Sequence, residues 1–315
     1  MRFDMRRATP ASYAAAIDMA EWAETRGCFM VGLSEHHASP DGYLPSPLVL
    51  AAAMAARTQQ VSIMVAAALL PFYDPIRLAE DMSVLDHVSG GRVSYVLGLG
   101  YRPEEFALHR VPMRERARRA DEHLRILLDA LAGTAFPSDV GDVRVTPAPT
   151  TPGGPSIAWG GQSVAAARRA ARFGLGFYAQ TDGDELAAAY RDECAAHGRE
   201  PGPCILPSPD VPATMFVADD VDRAWSELGP YLLHDAVTYA AWNDNERTAS
   251  LSFAKTVDAL RAEAGAHRIV SVDDAVAHIG SFGYLPLHPL CGGLPPELAW
   301  PYLERVVDDV LPRLA

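Results

Sequence analysis

The chain has 315 residues, of which 49% are hydrophobic and 21% charged, and carries a formal net charge of −13. That hydrophobic share is enough for a sizeable core, and the length suits one large domain, since an α/β barrel takes about 250 residues before insertions. The acidic balance excludes nucleic acid and anionic membrane surfaces as partners, because both require a basic face, and is compatible with a small-molecule substrate.

Met1 to Pro10 contains arginines but no apolar signal-peptide core. The strongly apolar run Val61 to Phe72 is too short for the roughly 20 residues of a spanning helix. Cys28, Cys194, Cys204 and Cys291 are scattered, without zinc or redox spacing. These features predict a cytoplasmic protein with reduced thiols and no metal site. The only lysine, Lys255, falls in Ser252–Leu260, which reads as a helix away from any strand end. Schiff-base chemistry, which needs an amine in the site, is thereby disfavoured.

In chain order, the pattern is a short apolar run followed by an amphipathic helix. A first strand at Phe3–Arg6 precedes a helix at Ala11–Thr25. Strands follow at Phe29–Leu33 and Val61–Leu70, then a helix at Pro75–Asp86, a strand at Val93–Leu97 and a helix at Arg116–Ala132. The Pro/Gly-rich stretch Thr146–Pro155 reads as a loop, too short to separate domains that each have a core. Beyond it come strand Ser156–Trp159, helix Val164–Phe173, strand Leu175–Gln180, helix Asp184–His197 and strand Ala213–Val217. Tyr231–Leu251, with Trp242-Asn243-Asp244-Asn245, reads as a polar excursion near a barrel mouth. Strand Gly283–Leu287 and helix Pro296–Leu311 close the series. Alternating strands and helices imply a parallel sheet buried on both faces. An open nucleotide-binding sheet would carry G-x-G-x-x-G after its first strand; Gly98-Leu99-Gly100-Tyr101-Arg102-Pro103 follows the fourth strand and lacks the third glycine. The expected fold is α/β, a (β/α)8 TIM barrel formed by a single domain over residues 1–315.

In such a barrel the functional groups lie at the C-terminal strand ends. Ser34-Glu35-His36-His37 follows the second strand. Neighbouring side chains on extended backbone point to opposite sides, so one histidine can face the axis as acid or base while Glu35 and the other brace the loop. Ala66-Ala67-Ala68 end the third strand, where small residues suit either a flat ring or tight packing. Ser89-Gly90-Gly91-Arg92 enters the fourth strand at the barrel bottom and reads as structural. Gly98 and Gly100, at the top of that strand, leave room for a ligand, with Glu105 and Phe106 in the following loop. Arg116 opens a helix and suits a phosphate or carboxylate. Trp159-Gly160-Gly161-Gln162-Ser163 leads into a helix N-terminus, an arrangement that binds anions or that simply caps the helix through Ser163. Gly292-Gly293 after the last strand again suits either ligand approach or helix entry.

Taken in order, these motifs resemble the bacterial luciferase-like flavin-dependent monooxygenases. The resemblance rests on Glu35-His36-His37, Leu70-Pro71 with Asp74-Pro75, and Leu78-Ala79-Glu80. It continues through Leu85-Asp86 with Ser89-Gly90-Gly91-Arg92, Gly98-Leu99-Gly100-Tyr101 with Glu105-Phe106, Trp159-Gly160-Gly161-Gln162-Ser163, and Gly292-Gly293-Leu294-Pro295-Pro296. It implies a luciferase-like barrel that binds reduced FMN and uses O2 on a small organic substrate. His36 matches the histidine that supports catalysis beside the flavin, and Ala66-Ala67 match a non-prolyl cis peptide under the ring. Arg116 and Ser163 match flavin phosphate ligands, and Gly98, Gly100, Gly160 and Gly161 complete the implied cofactor contacts. Gly98 and Leu99 stand where bacterial luciferase has a cysteine and a phosphate-binding arginine. That departure leaves room for a deazaflavin (coenzyme F420), which related members use for hydride transfer. The absence of a nicotinamide fingerprint fits a two-component monooxygenase served by a separate flavin reductase. The expected assembly is a homo-oligomer, a homodimer. Competing readings are a deazaflavin-dependent oxidoreductase and, from another class, a non-catalytic flavin-binding protein.

Overall fold

The computed structural model describes residues 1–208, 210–243 and 251–314. The chain divides into a terminal unit, Met1–Cys28, Pro40–Tyr43 and Pro207–Ala315, and a central unit, Phe29–Ser39 and Leu44–Leu206.

The terminal unit opens with β1 (Arg2–Phe3) and α1 (Pro10–Glu24). The predicted strand Phe3–Arg6 is cut short because Met5 and Arg7 adopt φ of 57° and 49°, outside the extended region. Helix α1 starts where its sequence directs. The Thr9 hydroxyl accepts from Ser12 N–H, Ser12 Oγ accepts from Thr9 N–H, and Pro10 fills the first turn.

The central unit carries the alternating pattern. Its elements are β2 (Met30–Leu33), α2 (Pro47–Arg57), β3 (Ser62–Leu69), α3 (Pro75–Ser89), β4 (Val93–Gly98), α4 (Pro103–Leu108), α5 (Arg116–Leu131), β5 (Ile157–Gly161), α6 (Val164–Arg172), β6 (Gly176–Ala179), α7 (Asp184–Ala196) and β7 (Cys204–Ile205). Strands β2 to β7 pair in parallel and in sequence order. Their C-terminal ends therefore lie at one edge, which brings together motifs far apart in sequence. The β3–β4 ladder shifts register between Ala66 and Ala68, where the Ala66–Ala67 peptide is cis, as the resemblance implied. Strand β7, two residues long, was not anticipated.

Thr146–Pro155 is a loop inside the central unit. Asp86 anchors it, accepting from Thr150 Oγ1 (2.7 Å), Thr151 N–H (2.8 Å) and Thr151 Oγ1 (2.7 Å).

The remaining elements of the terminal unit are β8 (Thr214–Val217), α8 (Val221–Trp242), α9 (Val257–Glu263), β9 (His267–Val270), α10 (Val272–Phe282) and α11 (Pro296–Arg305). Here the sequence reading needs correction. Tyr231–Trp242, expected as an irregular excursion, is the second half of α8; Asp244 to Ser250 lie outside the described residues. The expected strand Gly283–Leu287 is reduced to one bridge between Leu287 and Met215, because α10 runs to Phe282 and Gly283 closes it at φ 82°. The strand that does pair with β8 is β9. Lys255 precedes its helix, which Thr256 caps. Inside this unit Arg6 is fully buried. It bonds Asp4 (3.0 Å) and Asp41 (2.8 Å), lies 3.2 Å from Asp235, and sits against the rings of Tyr43, Tyr239 and Trp242. Three carboxylates and an aromatic cage make burial of that charge tolerable.

At the N-terminal end of β4, Arg92 donates to Ser89 O (2.7 Å) and, at 2.9 Å each, to Thr58 Oγ1, Val61 O, Ala55 O and Thr58 O. The structural reading of Ser89-Gly90-Gly91-Arg92 follows from this fan of bonds, which joins α2, β3 and β4. Replacing Arg92 with alanine strands acceptors in a partly buried site. One hydrogen bond to a charged group is worth about 1.5–3 kcal/mol. Arg92→Ala is expected to lose at least that much unfolding free energy in urea titration, with the site groups described below unaltered.

Candidate active site

Strand β2 delivers Glu35, His36 and His37 into the loop at its C-terminal end, and α4 faces that loop from beyond β4. The two histidines diverge, and each meets a buried carboxylate. His36 Nδ1 lies 2.8 Å from Glu105 Oε1, and His37 Nε2 lies 2.7 Å from Glu35 Oε1. Glu105 is 0% exposed and Glu35 2%.

Glu105 Oε1 also accepts from the His37 backbone N–H at 2.9 Å and from Arg102 at 3.4 Å, while Arg102 donates to His37 O at 2.6 Å. Burial raises a carboxyl pKa, but here the bond from His36, its charge, the His37 amide and Arg102 outweigh it and hold Glu105 below the usual range. Glu105 is therefore an ionised acceptor at neutral pH. Nδ1 of His36 must carry the proton between them, and in the neutral form of the ring Nε2 is then an acceptor. The Tyr101 hydroxyl lies 3.4 Å from that Nε2.

Glu35 serves the other side of the loop. Its Oε2 accepts from Leu69 N–H (3.2 Å) and from Tyr73 (2.8 Å). Burial, then the Glu35 charge, pushes the Tyr73 phenol far above its ordinary value, so it stays a donor. The His37 ring packs edge-on against Phe72 (5.6 Å) and His109 (4.4 Å), and His109 stacks on Phe72 (4.5 Å, 11°). Burial, then His37, pushes the His109 imidazole down, which keeps it neutral. His37 is thus built into the scaffold, and His36 belongs to a chain that leads toward Tyr101.

Ala66 and Ala67 are both partly open, whereas the flanking Val65 and Ala68 are buried. Gly98 packs on Ala67, where an added Cβ would lie 3.3 Å from the Ala67 methyl. Gly100 holds φ +72° against Phe106. A Cβ on Gly160 would meet Val96 at 2.9 Å, and one on Gly161 would meet Ala166 at 2.5 Å. Gly98, Gly160 and Gly161 thus have a packing cause, and Gly100 a backbone one, independent of any ligand. Ser163 accepts from Ala166 N–H and caps α6, with its residue surface exposed. Arg116 donates to Met113 O (3.2 Å). Arg169, in the last turn of α6, lies close to Asp121 and reaches Ala117 O (3.5 Å), so the start of α5 packs against the C-terminal turn of α6.

The sequence alone gives no role to Glu105, Tyr101, Arg102 or Tyr73. The Arg102-x-x-Glu105 spacing at a helix start was the available signal. Which of Glu104 and Glu105 turns inward is decided by α4, which leaves Glu104 exposed. In the terminal unit Asp235, His288 and Cys291 also converge, with ligand atoms within 4.8 Å of one another. Arg2 lies 3.0 Å from His288 and 3.7 Å from Asp235, and burial pushes the Cys291 thiol well up. That guanidinium repels a second cation.

Parallel strands in sequence order, with acid–base groups at their C-terminal ends, define the class of (β/α)-barrel proteins. The chain belongs to the luciferase-like monooxygenase family, whose profile matches residues 1–281. A 4-hydroxyprotoasukamycin monooxygenase from Streptomyces nodosus subsp. asukaensis is 28% identical over 117 residues, 37% of this chain and 32% of that protein. The matched segment spans about a third of the length of the first curated relatives. Among solved structures, the oxygenating constituent of 3,6-diketocamphane monooxygenase from Pseudomonas putida, in complex with FMN, superposes with a TM-score of 0.67. It is 19% identical, covering 98% of this chain and 95% of its own. An F420-dependent secondary alcohol dehydrogenase, in complex with an F420-acetone adduct, superposes at 0.69 with 14% identity, covering 100% of this chain and 98% of its own. These likenesses establish the luciferase-like TIM-barrel fold.

The ionised state of Glu105 fixes a pH dependence. Its folded pKa lies below the unfolded carboxylate value of about 4.3. Its stabilising contribution is therefore complete above that value and is lost as pH falls through the folded pKa. Glu105→Gln is expected to be less stable than the natural chain by about 1.5–3 kcal/mol at pH 7. The gap should narrow in denaturant titrations below about pH 4; a gap constant across pH would mean that Glu105 is not charged in the fold.

Proposed function

We propose that the chain is the oxygenating component of a two-component flavin monooxygenase, which takes reduced FMN from a separate reductase and acts with O2 on a small organic substrate. The observation that carries this reading is the Glu105–His36 pair. An ionised buried carboxylate fixes the tautomer of a histidine at the C-terminal end of β2, within the strand-end edge that holds Ala66 and Ala67.

The residues present fit a flavin. Ala66 and Ala67 offer a flat ring only methyl groups and backbone. The first-turn amides of α6, which have no helical partner, and the Ser163 hydroxyl suit its phosphate, with Arg116 as the candidate cation. Gly98, Gly100, Gly160 and Gly161 shape these walls by letting strands and helix approach closely. When bound, reduced flavin supplies the oxygen-activating chemistry. His36 takes or returns a proton at Nε2, Glu105 holds the compensating charge, and Glu35 with His37 and Tyr73 keeps the loop in place. The resemblance further suggests a cytoplasmic, homodimeric, single-domain protein. Among the described residues no helix is long and apolar enough to cross a membrane.

A second reading, hydride transfer with the deazaflavin F420, is favoured by Leu99, which stands where bacterial luciferase has a phosphate-binding arginine, and by the F420-dependent structural relative. Anaerobic titration with reduced FMN and with reduced F420, followed by oxygen, separates the two. The first reading expects tight FMN binding and oxygen-dependent reoxidation; preferential F420 binding without oxygen reactivity would replace it.

Three variants test the residues. Acid–base help is worth about 10²- to 10⁴-fold. His36→Ala, which strips a partner from buried Glu105 and so lowers the melting temperature, is expected to stay folded and bind flavin while turnover drops by that factor. Normal turnover in this variant would leave the pair a scaffold and favour a non-catalytic flavin-binding protein. His37→Ala is expected to lower the melting temperature first. Arg116→Ala removes a charge-assisted bond of about 1.5–3 kcal/mol, so the flavin dissociation constant should rise about 10- to 150-fold by fluorescence titration.

A further inference from the structure

The Glu105–His36 pair ends at a phenol. His36 is only 7% exposed, and Nε2 faces the Tyr101 hydroxyl at 3.4 Å, with the two rings edge to face at 5.6 Å and 81°. Tyr101 itself is half-buried. It is carried by the turn at Gly100, whose φ of +72° strains any side chain there. Because Glu105 is ionised, Nδ1–H points to Oε1, and in the neutral form of the ring Nε2 accepts. In that form the hydrogen of this contact belongs to Tyr101. Arg102 holds the same carboxylate oxygen, which keeps the negative charge behind His36.

We propose that Tyr101 is the group that exchanges protons with the bound molecule, with His36 as its proton store and Glu105 as the positioning residue behind both. This deepens the flavoenzyme reading and rests on it for the identity of the bound molecule. In the step, Tyr101 Oη takes a proton from an acidic O–H or N–H, or from a C–H beside a carbonyl. As that bond forms, the Oη–H bond to the original proton breaks and an Nε2–H bond forms. The positive charge on the ring rests against Glu105, and the bound molecule becomes an anion. The reverse transfer restores the resting state. No electrons change hands. A long resting contact suits the role, since catalytic hydrogen bonds often tighten only once the ligand is bound.

The charged and titratable groups around this chain include Arg102 at the start of α4, Glu105 within it and His109 at its end, with Glu35 and His37 from the segment that carries His36. The His37 ring is tied to Glu35 and does not contact Tyr101 among the described interactions. It therefore serves as an internal control.

Tyr101→Phe removes only the hydroxyl and keeps the edge contact. The expected result is an unchanged melting temperature and an unchanged dissociation constant for reduced FMN. Reoxidation of bound reduced FMN by O2, followed in mixed H2O/D2O, should slow about 10²-fold, the low end for a positioned acid–base group. Its curved dependence on deuterium fraction, from two protons in transit, should become linear. A second measurement needs neither flavin nor turnover: in protein with ¹⁵N-labelled histidine, the His36 Nε2 resonance should move in Tyr101→Phe while those of His37 hold. An unaltered rate and curvature with an unmoved His36 resonance would overturn the proposal. So would full activity in Tyr101→Phe where His36→Ala has lost it, since His36 would then act directly. If the natural chain binds no reduced flavin, the flavoenzyme reading fails. The resonance then decides the relay alone: movement upholds it and stillness overturns it.

Discussion

An ionised carboxylate cannot be taken out of water without partners, since the effective penalty is several kcal/mol per ion. Glu105 is such a group, with no exposed surface, and the partners it demands come from elsewhere. His36 and the His37 amide approach it from the end of β2, and Arg102 from its own helix after β4. Strand β3 lies between those two strands in the sheet, so the contact spans a strand. Glu35 ties in that middle strand through Leu69 N–H and Tyr73. Two buried acidic side chains thus lock three strand ends into one frame, and the bond to Glu105 sets which nitrogen of His36 carries the shared proton. The hydrogen-bond demand of Glu105 is what holds the His36 proton at Nδ1.

The small residues of the site have a less obvious lesson. Glycine at a strand end suggests an approaching ligand, yet here three of the four candidates have a neighbour in the space a side chain would need. Gly98 rests on Ala67, Gly160 on Val96 and Gly161 on Ala166. Close packing of this kind tolerates little added volume. These glycines let strands and helix approach closely. The partly open methyl groups of Ala66 and Ala67 are a separate matter, because they leave a surface that nearby side chains do not cover.

The terminal unit solves a similar problem with a different device. Arg6 is buried among Asp4, Asp41 and Asp235 and against three aromatic rings. The backbone on both sides of it, at Met5 and Arg7, turns to positive φ. The strand stops where this cage begins.

Much of this architecture could be read from local chemistry. Helix α1 is announced by Thr9, Pro10 and Ser12, and α6 by Ser163; the apolar runs marked β2 to β6; and Glu35-His36-His37 stood out because a strand end is where a barrel keeps its reactive groups. Such features depend on neighbours within a few residues, which a sequence displays directly. The failures came where the deciding neighbour was distant. Gly283–Leu287 has strand-like composition, but the segment paired with β8 is His267–Val270, since pairing depends on what lies alongside. Tyr231–Trp242 looked irregular, yet it packs as the end of a long helix through Leu232, Asp235 and Ala236. Above all, nothing in Arg102-Pro103-Glu104-Glu105 states that the second glutamate meets a histidine 69 residues earlier. By itself the sequence determined the kind of groups available and the strand ends that hold them. Only the folded chain decided which carboxylate meets which histidine, because a buried charge takes its partners from whatever the tertiary packing brings within hydrogen-bond reach.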